Sequence, residues 1–191
     1  MPEFINLENI FTVLHLIGVI LGMGAAFMTD IMFINSTKDK VLTNGEISFI
    51  ALGSRTVWMG LFLIIISGLA LFFLEPAKYL ESSKFLSKMT VVGVLTINGL
   101  FFHFKHLPFL KSQVDVNLTK SQEFISNSKW LFISGAISTT SWLAALVLGS
   151  LRRIPFELDT ILICYTVLLL VAIPFSLIFR KIFLKTSNKL S

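Results

Sequence analysis

Two side chains able to offer a nitrogen lone pair to a metal sit in stretches otherwise suited to lipid: His15 in "LHLIGVILGMG" and Lys88 in "SKFLSKMTVVGVL". Neutral imidazole is a normal ligand of haem iron. A lysine amine ligates only after losing its proton. His15 stands about six residues into its apolar run and Lys88 about four into its own, roughly 9 Å and 6 Å from one face at 1.5 Å per residue. His103 lies toward the other end of its run, about half a bilayer away, so His15 and His103 cannot share one iron. His15 and Lys88 can, if their helices are neighbours. Each also has an ordinary account. Lys88 can snorkel to headgroups, as Lys84 one turn earlier can, and His15 can hydrogen-bond across helices to Ser141 or Tyr165.

The elements that must position these residues follow from composition. The chain has 191 residues, 54% of them hydrophobic and 14% charged, with a mean hydropathy of +0.82. Five apolar runs cover roughly Ile10–Ile34, Phe49–Leu74, Phe85–Phe104, Trp130–Leu151 and Thr160–Phe183. About 20 apolar residues cross roughly 30 Å of hydrocarbon as a helix. Lipid offers the backbone no partner, so each run is helical. The expected fold is an all-α, polytopic integral membrane protein. It is a five-helix transmembrane bundle forming a single domain over residues 1–191.

The first run lacks a basic start, follows Glu3 and Glu8, and is too long for the apolar part of a cleaved signal. Cys164 is the sole cysteine, which excludes an internal disulfide and a CxxC site. The basic residues are mostly loop and tail residues, so they read as a topology signal and not as a nucleic-acid surface. With the N-terminus outside, the inner side holds Lys38, Lys40, Arg55, Lys105, Lys111, Lys120, Lys129, Arg180, Lys181, Lys185 and Lys189. The outer side holds Lys78, Lys84, Lys88, Arg152 and Arg153. That asymmetry places the N-terminus outside and the C-terminus in the cytoplasm of a prokaryotic inner membrane.

In lipid, helices associate through small residues that let backbones approach. Gly18, Gly22 and Ala26 form such a stripe on the first helix. Ser134, Ser138, Ser141, Ala145 and Gly149 form one on the fourth. Gly18, Gly22 and Gly99 are expected to set the first helix against the third. Asp30 and Arg55 have similar depth on adjoining helices and are expected to form a structural ion pair. Glu75-Pro76 should end the second helix and Leu107-Pro108 the third. Pro174 should kink the fifth. The stretch from Lys105 to Lys129 reads as the longest loop.

His15 in its first-helix motif, Arg55 near the start of the second helix and Lys88 opening the third resemble HemJ-type protoporphyrinogen IX oxidases and CopD-like membrane proteins. The resemblance covers roughly the first 110 residues. It implies a small helical membrane protein in which His15 and Lys88 hold haem b. Asp30 stands where the HemJ type has a basic residue. "SWLAALVLGSLRR" resembles a bacterial membrane-protein group with no assigned activity.

Two functions remain in view. One is a haem b-binding membrane redox or electron-transfer protein with its site near the outer face, a membrane redox partner, and Trp58, Trp142, Phe72 and Tyr165 around the pocket. The other is a non-enzymatic small transporter or a structural or assembly protein. No HExxH, phosphate loop or nucleophile triad is present, which sets aside soluble-type hydrolases and kinases.

Overall fold

The computed structural model describes residues 6–38, 40–151 and 155–188. Its helices are α1 (Leu7–Lys38), α2 (Asn44–Leu74), α3 (Pro76–Leu80), α4 (Ser83–Phe101), α5 (Leu107–Ser112), α6 (Gln122–Ser150) and α7 (Leu158–Asn188). A π-helical turn, Phe102–His106, joins α4 to α5. Among the described residues, five segments are long and apolar enough to span a membrane: α1, α2, α4 continued through α5, α6 and α7. The fold is therefore an all-α, five-helix membrane bundle. Its lipid-facing surface carries side chains such as Phe62, Phe73, Phe104, Leu170 and Phe175, all strongly exposed.

The helices outrun the apolar segments because their polar ends are capped outside the hydrocarbon. Thr43 accepts from Glu46 N, and the Glu46 carboxylate accepts from Thr43 N at 2.8 Å, a reciprocal cap that starts α2. Ser121 accepts from Phe124 N at 3.1 Å and starts α6 at Gln122, well before Trp130. The expected loop from Lys105 to Lys129 is thus mostly helix. Pro108 does not stop the third span, because the π turn lets the chain continue and places Pro108 in the first turn of α5. Glu75-Pro76 does end α2. α7 continues through Pro174. Arg152, Arg153 and Lys189 of the topology count lie outside the described residues.

Packing follows the small-residue stripes, with different partners from those expected. A Cβ built on Gly60 would lie 2.5 Å from Gly22 N and 2.7 Å from Gly18 O, so α1 and α2 cross nearly backbone to backbone. A Cβ on Gly22 would collide with the Trp142 indole of α6. Gly99 faces Trp58, 3.6 Å from its built Cβ, and so packs α4 on α2. These glycines do not join the first helix to the third, and α1 makes no extended contact with α4.

For orientation, the face where α1 begins is the N-face, and the face where α2 begins is the C-face. At the C-face, Leu42, Ile50, Leu110, Leu118 and Phe124 form a closed apolar cluster. Leu118 N bonds Lys40 O at 2.8 Å and Asp115 N bonds Leu42 O at 2.9 Å, which ties the two C-face connections together.

Candidate functional site

Polar side chains occur inside the bundle at three levels. At the level nearest the N-face, His15 Nδ1 lies 3.1 Å from Ser67 Oγ. Ser67 Oγ also meets the Leu63 and Ile64 carbonyls of its own helix. The His15 ring is in hydrogen-bond reach of the Ile64 backbone as well, so α2 holds it through a serine and a backbone group. Gly68 sits beside the ring, where even a built Cβ would reach no closer than 3.6 Å to it. The expected partners of His15 are engaged with each other instead: Ser141 Oγ and Tyr165 Oη lie 2.7 Å apart.

Lys88, five residues into α4, is half-buried and its ammonium has no hydrogen-bond or ion-pair partner among the described residues. It lies within electrostatic range of the His15 imidazole. Lys84 differs, because it donates to Leu151 O at the end of α6. His15 and Lys88 thus lie on α1 and α4, two helices that make no extended contact with each other. The aromatic residues expected there are divided. Phe72 stacks on Phe85 at 5.6 Å, one turn before Lys88. Trp58 and Trp142 belong to the middle level.

The middle level is a cavity of about 70 Å³ between α1, α2, α4 and α6. That is room for several waters at roughly 10–15 Å³ each. Asp30, Ser54, Asn98, Ser134 and Ser138 supply its polar walls, and Trp58 and Trp142 its aromatic ones. Asp30 Oδ2 accepts from Thr139 Oγ1 at 3.1 Å. Asn98 Nδ2 donates to Ser134 O at 3.0 Å, and Ser134 Oγ donates to Asn98 Oδ1 at 2.9 Å, a reciprocal link between α4 and α6. Trp142 Nε1 is fully buried without a partner among the described residues.

The expected ion pair between Asp30 and Arg55 does not form. Asp30 turns into the cavity toward α6, whereas Arg55 is exposed on α2 and lines a separate groove. Equal depth did not mean equal bearing. Ser54, one residue earlier, is the inward position and is only 5% exposed. At 100° per residue its neighbour is carried toward lipid.

The third level is nearest the C-face. There His103 Nδ1 lies 3.2 Å from Ser54 Oγ. On α7, Arg180 Nε donates to Ser128 Oγ at 2.8 Å, and Arg180 also donates to Ile125 O, clamping α7 to α6.

Sequence reasoning missed Ser67, Thr139 and Ser134 as partners, because small hydroxyl residues read first as packing residues. Among the described residues no group of three or more His, Cys, Asp or Glu side chains converges as a metal site. A haem needs less from the chain, since the macrocycle supplies four of the iron's ligands. Two features of the N-face level bear on that requirement: a histidine oriented through Nδ1 by Ser67, and a lysine nitrogen with no hydrogen-bond or ion-pair partner among the described residues.

No family model matches the chain, and neither a curated protein nor a solved structure matches it. The chain is a multi-pass α-helical membrane protein, and its surroundings are a lipid bilayer.

Proposed function

We propose that this protein is a haem b-binding membrane redox protein, with His15 Nε2 and the Lys88 amine as the iron's two protein ligands. The observation that supports the reading is the 3.1 Å contact of His15 Nδ1 with Ser67 Oγ, which orients the ring through one of its two nitrogens. Metal-binding histidines are commonly fixed in this way through their second nitrogen. When bound, haem supplies reversible one-electron transfer. The chain contributes orientation of the imidazole, a second nitrogen at the same level, and apolar walls from Phe72 and Phe85.

The proposal includes the orientation drawn from the basic residues, with the N-face outside and the C-terminus in the cytoplasm of a prokaryotic inner membrane. The site then lies near the outer face, where a membrane redox partner can reach it. The test is the visible spectrum of protein expressed with ample haem and purified in detergent. A Soret band with α and β bands that sharpen on reduction supports the proposal, and a colourless protein overturns it.

The second reading is a small membrane carrier, and the middle cavity favours it. A carboxylate in a transmembrane segment is costly and marks a functional site by default. Asp30 faces a cavity large enough for water, with Asn98 beside it and no basic side chain lining it among the described residues. Uptake of a small polar solute into proteoliposomes that is lost in Asp30→Asn would support this reading over the first.

A further inference from the structure

We propose that the groove at the C-face end of α2 and the α4–α5 junction binds the phosphate of an anionic phospholipid. The groove is lined by Arg55, His103 and Lys111, with Phe104, Leu107 and Pro108 as its apolar side. No carboxylate lines it among the described residues.

Arg55 poses the physical problem. It is exposed on a lipid-facing turn and has no hydrogen-bond or ion-pair partner among the described residues. α2 is 31 residues long, about 46 Å at 1.5 Å per residue, and since it is apolar through Leu74, the roughly 16 Å in excess of a hydrocarbon core of about 30 Å lies at its Asn44 end. Arg55 lies eleven residues past Asn44, about 16 Å in, hence at the hydrocarbon boundary. An unpaired guanidinium at that depth is costly unless it reaches an anion. The extended side chain is long enough to snorkel back to the phosphate layer.

The rest of the groove makes that reach specific. His103 has its Nδ1 fixed by Ser54, which keeps the ring at the level of Arg55. Lys111 stands eight residues further along the third span, about 12 Å nearer the C-face and on the phosphate side of the groove. The π turn Phe102–His106 shifts the helical register between the two, so both basic groups line one groove. Phe104, 72% exposed, offers an acyl chain a flat apolar wall that continues into the lipid-facing surface. Arginine grips phosphate in a planar fork and lysine adds a point charge. Basic pockets between transmembrane helices are suited to acidic headgroups.

The test is native mass spectrometry of the full chain in mild detergent, titrated with phosphatidylglycerol, cardiolipin or phosphatidylcholine. Wild-type protein is expected to retain the two anionic lipids and release phosphatidylcholine. Arg55→Gln/Lys111→Gln should weaken anionic-lipid retention about thirtyfold, at roughly fivefold for each basic residue. Lys120→Gln/Lys129→Gln, with the same loss of charge at the same face, should change it little. Millimolar inorganic phosphate should not displace the lipid, because it lacks the acyl chains that Phe104 and Leu107 hold. Equal retention of phosphatidylcholine by wild type, equal weakening in both double variants, or displacement by free phosphate would overturn the proposal. The lipid comparison on wild type needs no variant to fold.

Discussion

His15 Nδ1 in α1 lies 3.1 Å from Ser67 Oγ in α2, and the serine in turn meets the Leu63 and Ile64 carbonyls. This relationship ties the bearing of the ring to α2. It also gives the proposed site a sensitive point outside its ligands.

Ser67→Ala removes that hold while deleting only one oxygen. Haem affinity should fall about 10–100-fold, the usual effect of losing the group that orients a metal-binding histidine. Titration of haem into purified wild type and variant measures it. Unchanged affinity would mean that Ser67 only fills space.

The Asp30 carboxylate belongs to Thr139 and not to Arg55. A double-mutant cycle on Asp30→Asn and Thr139→Val should show coupling of about 0.6 kcal/mol, with about 1.7 kcal/mol as an upper bound for such bonds in membranes. The same cycle on Asp30→Asn and Arg55→Gln should show none. Coupling to Arg55 in a folding titration would restore the ion pair and contradict the geometry.

Gly22 sits where a Cβ would strike the Trp142 indole and where Gly60 already touches its backbone. Gly22→Leu should prevent the α1–α2–α6 contact and leave protein that aggregates on size exclusion. Leu21→Ala, at a neighbouring position off this stripe, should elute as wild type with a modestly lower melting temperature. Similar behaviour of the two variants would remove the close crossing from the account.

The proposed orientation has the C-terminus in the cytoplasm. A reporter active only in the cytoplasm should therefore work when fused after residue 191, and a reporter active only in the periplasm should not. The opposite pattern would invert the bundle and put the His15 level at the inner face.

The five spans were legible because hydrocarbon thickness sets a length that apolar runs either meet or do not. Their ends were not, because Thr43, Ser121 and the π turn extend helices beyond the lipid through capping and backbone register, which hydropathy does not sense. The first-helix stripe marked a close contact, whereas Gly149 of the fourth-helix stripe is exposed and faces open space, and a stripe carries no label for its partner. Gly99 therefore met Trp58 of α2 where a first-helix neighbour was expected. For the site, residue count gives His15 and Lys88 similar depth, but α1 and α4 make no extended contact, which the count could not foresee. The same reasoning failed for Asp30 and Arg55, where bearing decides. The inward-facing Ser54 beside Arg55 was the available signal, and a helical wheel of α2 contains it.

The central claim is that His15 and Lys88 together hold a haem iron. Reduced and oxidised visible spectra of haem-supplied wild type, His15→Ala, Lys88→Ala and Lys84→Ala test it most directly. Lys84 is the control, one turn away and bonded to the end of α6. The account predicts a b-type spectrum in wild type and Lys84→Ala, its loss in His15→Ala, and its loss or a shifted Soret band in Lys88→Ala. A colourless wild type, or a spectrum that survives unchanged in both His15→Ala and Lys88→Ala, would contradict it.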